Sequence, residues 1–225
     1  MLLVDTADQD AILKALGYPG VQGFTTNPAL MARAADAEVL SLDEYVGAAR
    51  KLCKMSADSD AIRHLMIQAV GDASDICRQA TLYLDDLKAA RDKTVWMKLT
   101  PTPASLSCCP ALKDMACATL VTAVFTAAQA YVAMEAGADG VAVYLGRLMR
   151  LETDWEEKLE TIAAIVKSAE RTLLLASFPD RQTVDVGLRY SRDITAPPAV
   201  LDELLASSLS QEAIEGFDRK VAWKG

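Results

Sequence analysis

The stretch TVWMKL at residues 94–99 has the composition of a buried strand, yet it carries a lysine near its end. β-branched, aromatic and long apolar side chains favour extended backbone. A lysine is almost never fully buried unless its charge is paired or its pKa is lowered. Two interpretations of Lys98 follow: it ends an edge strand with its ammonium reaching water, or it is an amine nucleophile inside the protein.

Short apolar segments like this one alternate with amphipathic helical patterns along the chain. The predicted strands cover residues 2–6, 22–27, 65–70, 94–99, 119–124, 140–145, 172–177 and 193–197, and residues 28–64 are predicted to hold two helices. Such alternation is typical of βα units with a parallel sheet. The chain is therefore predicted to form one α/β domain over residues 1–225, a (β/α)₈ TIM barrel, with a doubly wound open sheet as the alternative.

The end of the chain is longer than one crossover requires. A C-terminal helical extension is predicted over residues 207–225, and its apolar residues include Val221 and Trp223. We expect this helix to lie at a subunit contact, because a contact would bury these side chains.

Charge and hydropathy exclude several classes of function. The formal net charge is −8 and the sequence pI is about 4.7, which argues against nucleic acid or an acidic membrane as a partner. The N-terminus is acidic where a secretory signal needs basic residues, and no apolar run reaches the about 18 residues of a membrane-spanning helix. The expected location is the cytoplasm, and the expected partner is a small molecule.

The sequence gives little support to a metal or cofactor. The five cysteines form no C-x-x-C pair, and the single histidine, His64, begins the apolar run HLMIQAV and is interpreted as a strand-end residue. There is no G-x-G-x-x-G and no phosphate-binding loop of the Walker type. We expect chemistry performed by side chains alone, with no cofactor and no metal.

Nearly every predicted strand contributes a polar residue near its carboxyl end, where barrel enzymes hold their reactive groups. These residues are Asp5, Thr25, Asn27, Gln68, Lys98, Thr122, Tyr144, Arg147 and Ser177. A structural interpretation makes Asp5 a helix N-cap and Asn27 part of a turn before Pro28. That interpretation is plausible for one or two positions and strained for so many separate strands.

These side chains suit amine catalysis. Among apolar neighbours the Lys98 ammonium is disfavoured, and a pKa lowered toward ~7–8 leaves free amine to attack a carbonyl and form a Schiff base. Asp5, Tyr144 or a water held by Gln68 and Thr122 can move the protons. Arg147 and Ser177 can hold a phosphate.

Five segments together resemble the transaldolase family. They are DTAD at 5–8, GFTTNPAL at 23–30, VWMKLTPT at 95–102, VTAVFTAAQA at 121–130 and LLASF at 174–178, in the family's order. The resemblance implies a (β/α)₈ barrel that forms a lysine Schiff base with a ketose phosphate. In the short-chain subfamily it implies a homo-oligomer, a ring-shaped decamer.

The resemblance also implies roles for single residues. Lys98 matches the Schiff-base position and Asp5 the first-strand acid. Thr25 and Asn27 match residues that contact the dihydroxyacetone unit, and Ser177 and Arg147 match the phosphate site.

The chain has 225 residues, and it has Gln68 and Tyr144 where longer transaldolases have Glu and Phe. In these features it looks more like the fructose-6-phosphate aldolase subfamily. The implied reaction is cleavage of fructose 6-phosphate or a similar sugar to dihydroxyacetone and an aldehyde such as glyceraldehyde 3-phosphate. The alternatives are a transaldolase of the pentose phosphate pathway and a barrel that binds a sugar phosphate without turning it over.

Two segments depart from the family pattern. Gly146 precedes Arg147 where relatives usually read Asn-Arg, and Pro179-Asp180 follow Ser177-Phe178 where relatives have Lys or Arg. One expected phosphate cation is thus missing; Arg181 lies two residues further on, and the acidic Asp180 opposes an anion. An acceptor aldehyde that carries no phosphate is therefore an alternative substrate.

Overall fold

Eight parallel strands close into a barrel in a computed structural model that describes residues 1–90 and 92–220. The strands are β1 (Leu2–Asp5), β2 (Val21–Thr25), β3 (His64–Gln68), β4 (Thr94–Leu99), β5 (Ala118–Val124), β6 (Gly140–Tyr144), β7 (Thr172–Ala176) and β8 (Asp193–Ala196). Each strand pairs with its neighbour in sequence, and β1 pairs with β8, which closes the sheet. The predicted (β/α)₈ barrel is confirmed, and the open-sheet alternative is wrong.

Helices follow the strands around the outside of the barrel. They are α1 (Gln9–Ala15), α2 (Pro28–Ala34), α3 (Leu42–Ala57), α4 (Ala73–Leu87), α5 (Pro103–Leu106), α6 (Cys109–Asp114), α7 (Ala127–Glu135), α8 (Leu145–Leu151), α9 (Trp155–Ser168), α10 (Arg181–Gly187), α11 (Pro198–Glu203) and α12 (Ser208–Asp218). The two helices predicted within 28–64 are α2 and α3. Among these described helices, none is long and apolar enough to cross a membrane.

Several strands end one or two residues before their predicted ends. At β2 the reason is the start of the next helix. Strand β2 stops at Thr25, and Asn27 is the N-cap of α2, where its side chain accepts a hydrogen bond from the Leu30 amide at 3.0 Å. Pro28 at the first helical position fits the same start.

Alternation along the strands divides the apolar side chains into two cores. One set fills the barrel interior and consists of Leu3, Met66, Trp96, Leu120, Ala142 and Leu174. The intervening strand residues, such as Val95, Met97 and Leu99 on β4, belong to the larger core between the sheet and the helices.

The polar residues of the strand ends lie two positions after the residues of this interior set. Two residues further along the same six strands come Asp5, Gln68, Lys98, Thr122, Tyr144 and Ala176. Successive inward positions of a strand differ by two, so these side chains form the next layer, at the carboxyl end of the barrel. His64 begins β3 and accepts a hydrogen bond from the Trp96 indole at 3.4 Å, on the opposite side of the apolar layer.

The C-terminal segment is helical, as expected, but shorter than predicted within the described residues. Helix α12 buries no residue, and it leaves Leu209, Ile214 and Phe217 exposed. Val221 and Trp223 lie outside the described residues. The contact of this helix with a second subunit stays a prediction.

Candidate active site

A cavity of about 140 Å³ opens at the carboxyl end of the barrel. It is lined by Asp5, Thr25, Asn27, Lys98, Thr122, Ala142, Tyr144, Arg147, Leu174, Ala176, Ser177 and Thr195. Eight of the predicted site residues are in this set. Gln68, the ninth, lies on β3 and pairs in register with Lys98 of the adjacent strand β4. It is outside the cavity lining.

Lys98 is buried, with 4% of its surface exposed, so the edge-strand interpretation is wrong. Its Nζ donates to the backbone oxygen of Thr26 at 2.9 Å. Burial lowers the pKa of Lys98, and the nearby Asp5 carboxylate opposes only part of that shift. Because the free amine is the nucleophilic form, this environment prepares Lys98 to attack a carbonyl.

Asp5 ends β1 beside Lys98. Burial raises the pKa of Asp5, while the charge of Lys98 and a hydrogen bond from Thr25 lower it in part. The capping role considered for Asp5 belongs instead to Asp8, which accepts from the Ala11 amide at 2.7 Å and caps α1. Asp5 is therefore free of the helix and faces the lysine.

A pair of hydroxyls stands on β5 and β6. Thr122 Oγ1 donates to the Tyr144 hydroxyl oxygen at 3.1 Å, which leaves the Tyr144 hydrogen available to another acceptor. Phe125 packs edge-on against the Tyr144 ring, and the Arg147 guanidinium lies 5.4 Å from its centroid. These contacts fix the phenol at the cavity wall.

Asn27 serves the helix and the cavity at once. Its Oδ1 is committed to the Leu30 amide, so its Nδ2 keeps two donors for another oxygen. The turn chemistry considered for Asn27 is therefore present, and it orients an amide that lines the cavity.

The region after β7 contains Pro179-Asp180, one of the two segments interpreted from the sequence as departures from the family pattern. Ser177 has a left-handed backbone, with φ of 66°, an uncommon conformation for serine that occurs at functional sites. Asp180 caps α10 by accepting from the Thr183 amide at 2.8 Å and from its hydroxyl at 2.9 Å, and these bonds lower the pKa of Asp180. Among the described residues, Arg147 and Lys98 are the cationic side chains that line the cavity.

Thr195 on β8 is the polar lining residue that sequence reasoning missed. The predicted strand DITAP ends in apolar residues, so the sequence predicts no polar end residue for it. A signal was present, since Thr195 follows Asp193 at the period of two that places two polar residues on one face of a strand.

This arrangement provides a nucleophilic amine, an acid with a raised pKa, a phenol and hydroxyl and amide donors around one small cavity. Together they can bind a polyhydroxylated carbonyl compound and transfer protons to and from it. Within residues 1–90 and 92–220, no group of three His, Cys, Asp or Glu side chains is placed to hold a metal ion.

Comparison with known proteins shows the family of the chain. The family described as transaldolase/fructose-6-phosphate aldolase matches residues 2–223. A probable transaldolase of Lysinibacillus sphaericus is 30% identical over 217 residues, covering 95% of this chain and 94% of that protein. Probable transaldolase 2 of Bacillus cereus is 29% identical over 218 residues, with 95% and 94% covered.

Solved structures share the fold at low sequence identity. A 2,3-dimethylmalate lyase has a TM-score of 0.61 at 14% identity, covering 97% of this chain and 81% of that chain. An oxaloacetate acetylhydrolase has a TM-score of 0.59 at 12% identity, covering 100% of this chain and 84% of that chain.

The chain belongs to the transaldolase/fructose-6-phosphate aldolase family and is an enzyme of the aldolase/transaldolase type.

Proposed function

We propose that the protein is a class I aldolase that reversibly cleaves fructose 6-phosphate or a similar ketose to dihydroxyacetone and an aldehyde such as glyceraldehyde 3-phosphate. The observation that carries the proposal is the buried Lys98 amine, held beside Asp5 in a cavity lined by hydroxyl and amide donors. An uncharged amine there attacks the ketone carbon, and loss of water from the carbinolamine gives the iminium.

Asp5 is suited to the dehydration step. Its raised pKa keeps a proton available at the side of Lys98, and the departing hydroxyl needs that proton to leave as water. The carboxylate that remains then faces the iminium cation, and their opposite charges stabilise each other in the buried site.

Tyr144 is suited to the cleavage step. A base must take the hydrogen of the C4 hydroxyl while the C3–C4 bond breaks and its electron pair moves into the iminium, giving an enamine and a free aldehyde. Tyr144 and a water held by Gln68 and Thr122 are the proposed proton carriers. Protonation of the enamine at C3 and hydrolysis of the iminium then release dihydroxyacetone.

The remaining polar groups are assigned to binding. The donors of Asn27 and the hydroxyl of Thr25 are proposed to bind the hydroxyls of the three-carbon unit. Arg147 and Ser177 are proposed to bind the far end of the sugar, where a phosphate would meet a single arginine.

Transfer of the three-carbon unit is the second candidate, favoured by relatives that are named probable transaldolases. In that reaction the enamine carbon attacks the aldehyde of an aldose phosphate instead of being protonated. Product formation from fructose 6-phosphate with and without erythrose 4-phosphate separates the two reactions. Release of free dihydroxyacetone without an acceptor supports the aldolase, whereas turnover that requires the acceptor supports the transaldolase.

The decisive test is borohydride reduction in the presence of dihydroxyacetone or fructose 6-phosphate, followed by tryptic peptide mass spectrometry. A reduced three-carbon adduct blocks cleavage after Lys98 and is therefore expected on the peptide 94–113. Lys93 is the internal control, because its amine is buried at the opposite end of β4 against the Ser59 carbonyl and Asp92.

The proposal fails if folded protein gives no adduct on Lys98, or gives equal labelling of Lys93 and Lys98. It is supported further if Lys98→Ala abolishes both the adduct and the retro-aldol activity.

A further inference from the structure

Thr195 completes a line of hydrogen-bonded side chains across three neighbouring strands. Its hydroxyl on β8 lies 2.7 Å from that of Thr25 on β2, and Thr25 Oγ1 lies 2.5 Å from Asp5 Oδ1 on β1. Thr195 is 2% exposed and Thr25 is fully buried, so both hydroxyls are almost entirely shielded from bulk water. The line ends at the carboxyl group that faces Lys98.

The chemistry of the hydroxyl group sets the direction of these bonds. A threonine hydroxyl has one hydrogen, and Thr25 directs its hydrogen to Asp5. The contact between the two threonines therefore requires Thr195 to donate. Each bond polarises the next, so the Thr195 hydroxyl strengthens the bond that Thr25 donates to the carboxylate.

The same line works in reverse when Asp5 holds a proton. Asp5 then donates to Thr25, and Thr25 turns its hydrogen to the oxygen of Thr195. Thr195 thus gives the buried Thr25 hydroxyl a partner in both states of Asp5, whereas a lost partner leaves a buried polar group unsatisfied. A hydroxyl at position 195 can donate or accept with the same oxygen, whereas valine can do neither.

We propose that Thr195 is a positioning residue for Asp5, acting through Thr25 to orient and polarise the hydrogen bond at the Asp5 carboxyl. This inference rests on the proposed function, in which Asp5 exchanges a proton during Schiff-base chemistry. The groups acting on Asp5 are Lys98 from β4 and Thr25 from β2, with Thr195 behind Thr25. Arg147 and Tyr144 line the same cavity.

The primary test compares Thr195→Val, which keeps the shape and removes the hydroxyl, with Thr195→Ser, which keeps the hydroxyl. The measurement is the pH profile of kcat for retro-aldol cleavage. Hydrogen bonds to an ionised carboxylate are the stronger ones, so loss of the Thr195 hydroxyl disfavours ionised Asp5. Thr195→Val is therefore expected to move the limb of the profile that reports Asp5 ionisation upward by about 0.5–1 pH unit, roughly a threefold to tenfold change in kcat at a pH on that limb. Thr195→Ser is expected to restore the wild-type profile.

Thr94→Val is the matched control, because Thr94 begins β4 at the opposite end of the barrel. It is expected to leave kcat and its pH profile unchanged. An unchanged profile in folded Thr195→Val, or an equal defect in Thr195→Ser, overturns the proposal and leaves Thr195 as a packing residue.

A double-mutant cycle with Thr25→Val tests the route of the effect. If Thr195 acts through Thr25, adding Thr195→Val to Thr25→Val causes no further loss, whereas full additivity of the two losses contradicts the proposal. Thr195→Ala replaces the valine variant in both tests if the valine variant does not fold. Wild-type protein that gives no borohydride adduct on Lys98 refutes the proposed function itself, which separates the two failures.

Discussion

The backbone of Gly146 packs directly against the carbonyl of Ser177. A Cβ at position 146 would lie 2.1 Å from that oxygen and 2.8 Å from Cδ of Pro179. The two departures from the family pattern, at Gly146 and at Pro179, are therefore one packed contact. It joins the start of α8, which carries Arg147, to the segment after β7, which begins with Ser177.

Gly146→Ala tests this contact. We expect the methyl group to force the two segments apart, with a loss of about 1–3 kcal/mol in the free energy of unfolding. Because Arg147 and Ser177 move with these segments, KM for a phosphorylated substrate should rise more than kcat falls. Chemical denaturation and steady-state kinetics measure the two effects.

Gly47→Ala in α3 is the control for the Gly146 variant. A Cβ at position 47 meets open space, so alanine there is expected to be neutral or to stabilise by about 0.4–1 kcal/mol. A Gly146→Ala protein as stable and as active as the Gly47 variant would contradict the packing argument.

Replacing the buried lysine should stabilise the fold while it abolishes activity. Lys98→Met removes an amine whose ionisation is disfavoured by burial, and Asp5, whose pKa is already raised, can take up a proton when the lysine is gone. The variant is therefore expected to add about 1 kcal/mol to the free energy of unfolding at neutral pH. Thermal unfolding measures this gain, and a Lys98→Met protein less stable than wild type would show that the amine stabilises the fold.

The pH dependence of that gain has a defined sign. The folded pKa of Lys98 lies below the ordinary value of 10.5, so between the two values the unfolded chain binds more protons. Wild-type stability relative to Lys98→Met should therefore increase as pH rises through this window toward 10.5. A difference that stays constant up to that pH would mean that the pKa of Lys98 is not lowered.

The rate of borohydride trapping should report the same amine. Since only the uncharged amine attacks dihydroxyacetone, we expect trapping on Lys98 to increase with pH and to reach half its maximum well below 10.5. Trapping that increases only near the ordinary lysine pKa would contradict this expectation.

Tyr144→Phe should separate bond cleavage from Schiff-base formation. The variant keeps the ring contacts with Phe125 and Arg147 and loses the hydroxyl that Thr122 donates to. We expect kcat for cleavage to fall about 10²-fold or more, while the borohydride adduct on Lys98 still forms. Tyr190→Phe on the outside of the barrel is the control, and equal kcat in the two variants would remove Tyr144 from the proton path.

Helix α12 is proposed to contact a second copy of the chain, because Leu209 and Phe217 are 77% and 70% exposed on an amphipathic helix. A chain ending at Ser207 is expected to sediment as a smaller species than the full chain. The double substitution Leu209→Glu and Phe217→Glu should have the same effect in a full-length protein. Unchanged sedimentation of the truncated chain would rule out this contact.

The sequence by itself determined the barrel and most of the cavity lining. Eight apolar strands alternating with helices leave few ways to bury every strand on both faces, and TVWMKL placed a lysine at an inward position of one of them. The period of two then brought Asp5, Lys98, Thr122 and Tyr144 to one layer.

Tertiary structure alone decided which side chains touch. Strand closure brings β8 beside β1, so Thr195 meets Thr25 across 170 residues of sequence, and no local pattern encodes that contact. The approach of Ser177 to Gly146 and the burial that shifts the pKa of Lys98 and of Asp5 have the same origin. Periodicity fixes the face on which a residue lies, whereas distances and desolvation depend on how all eight strands pack together.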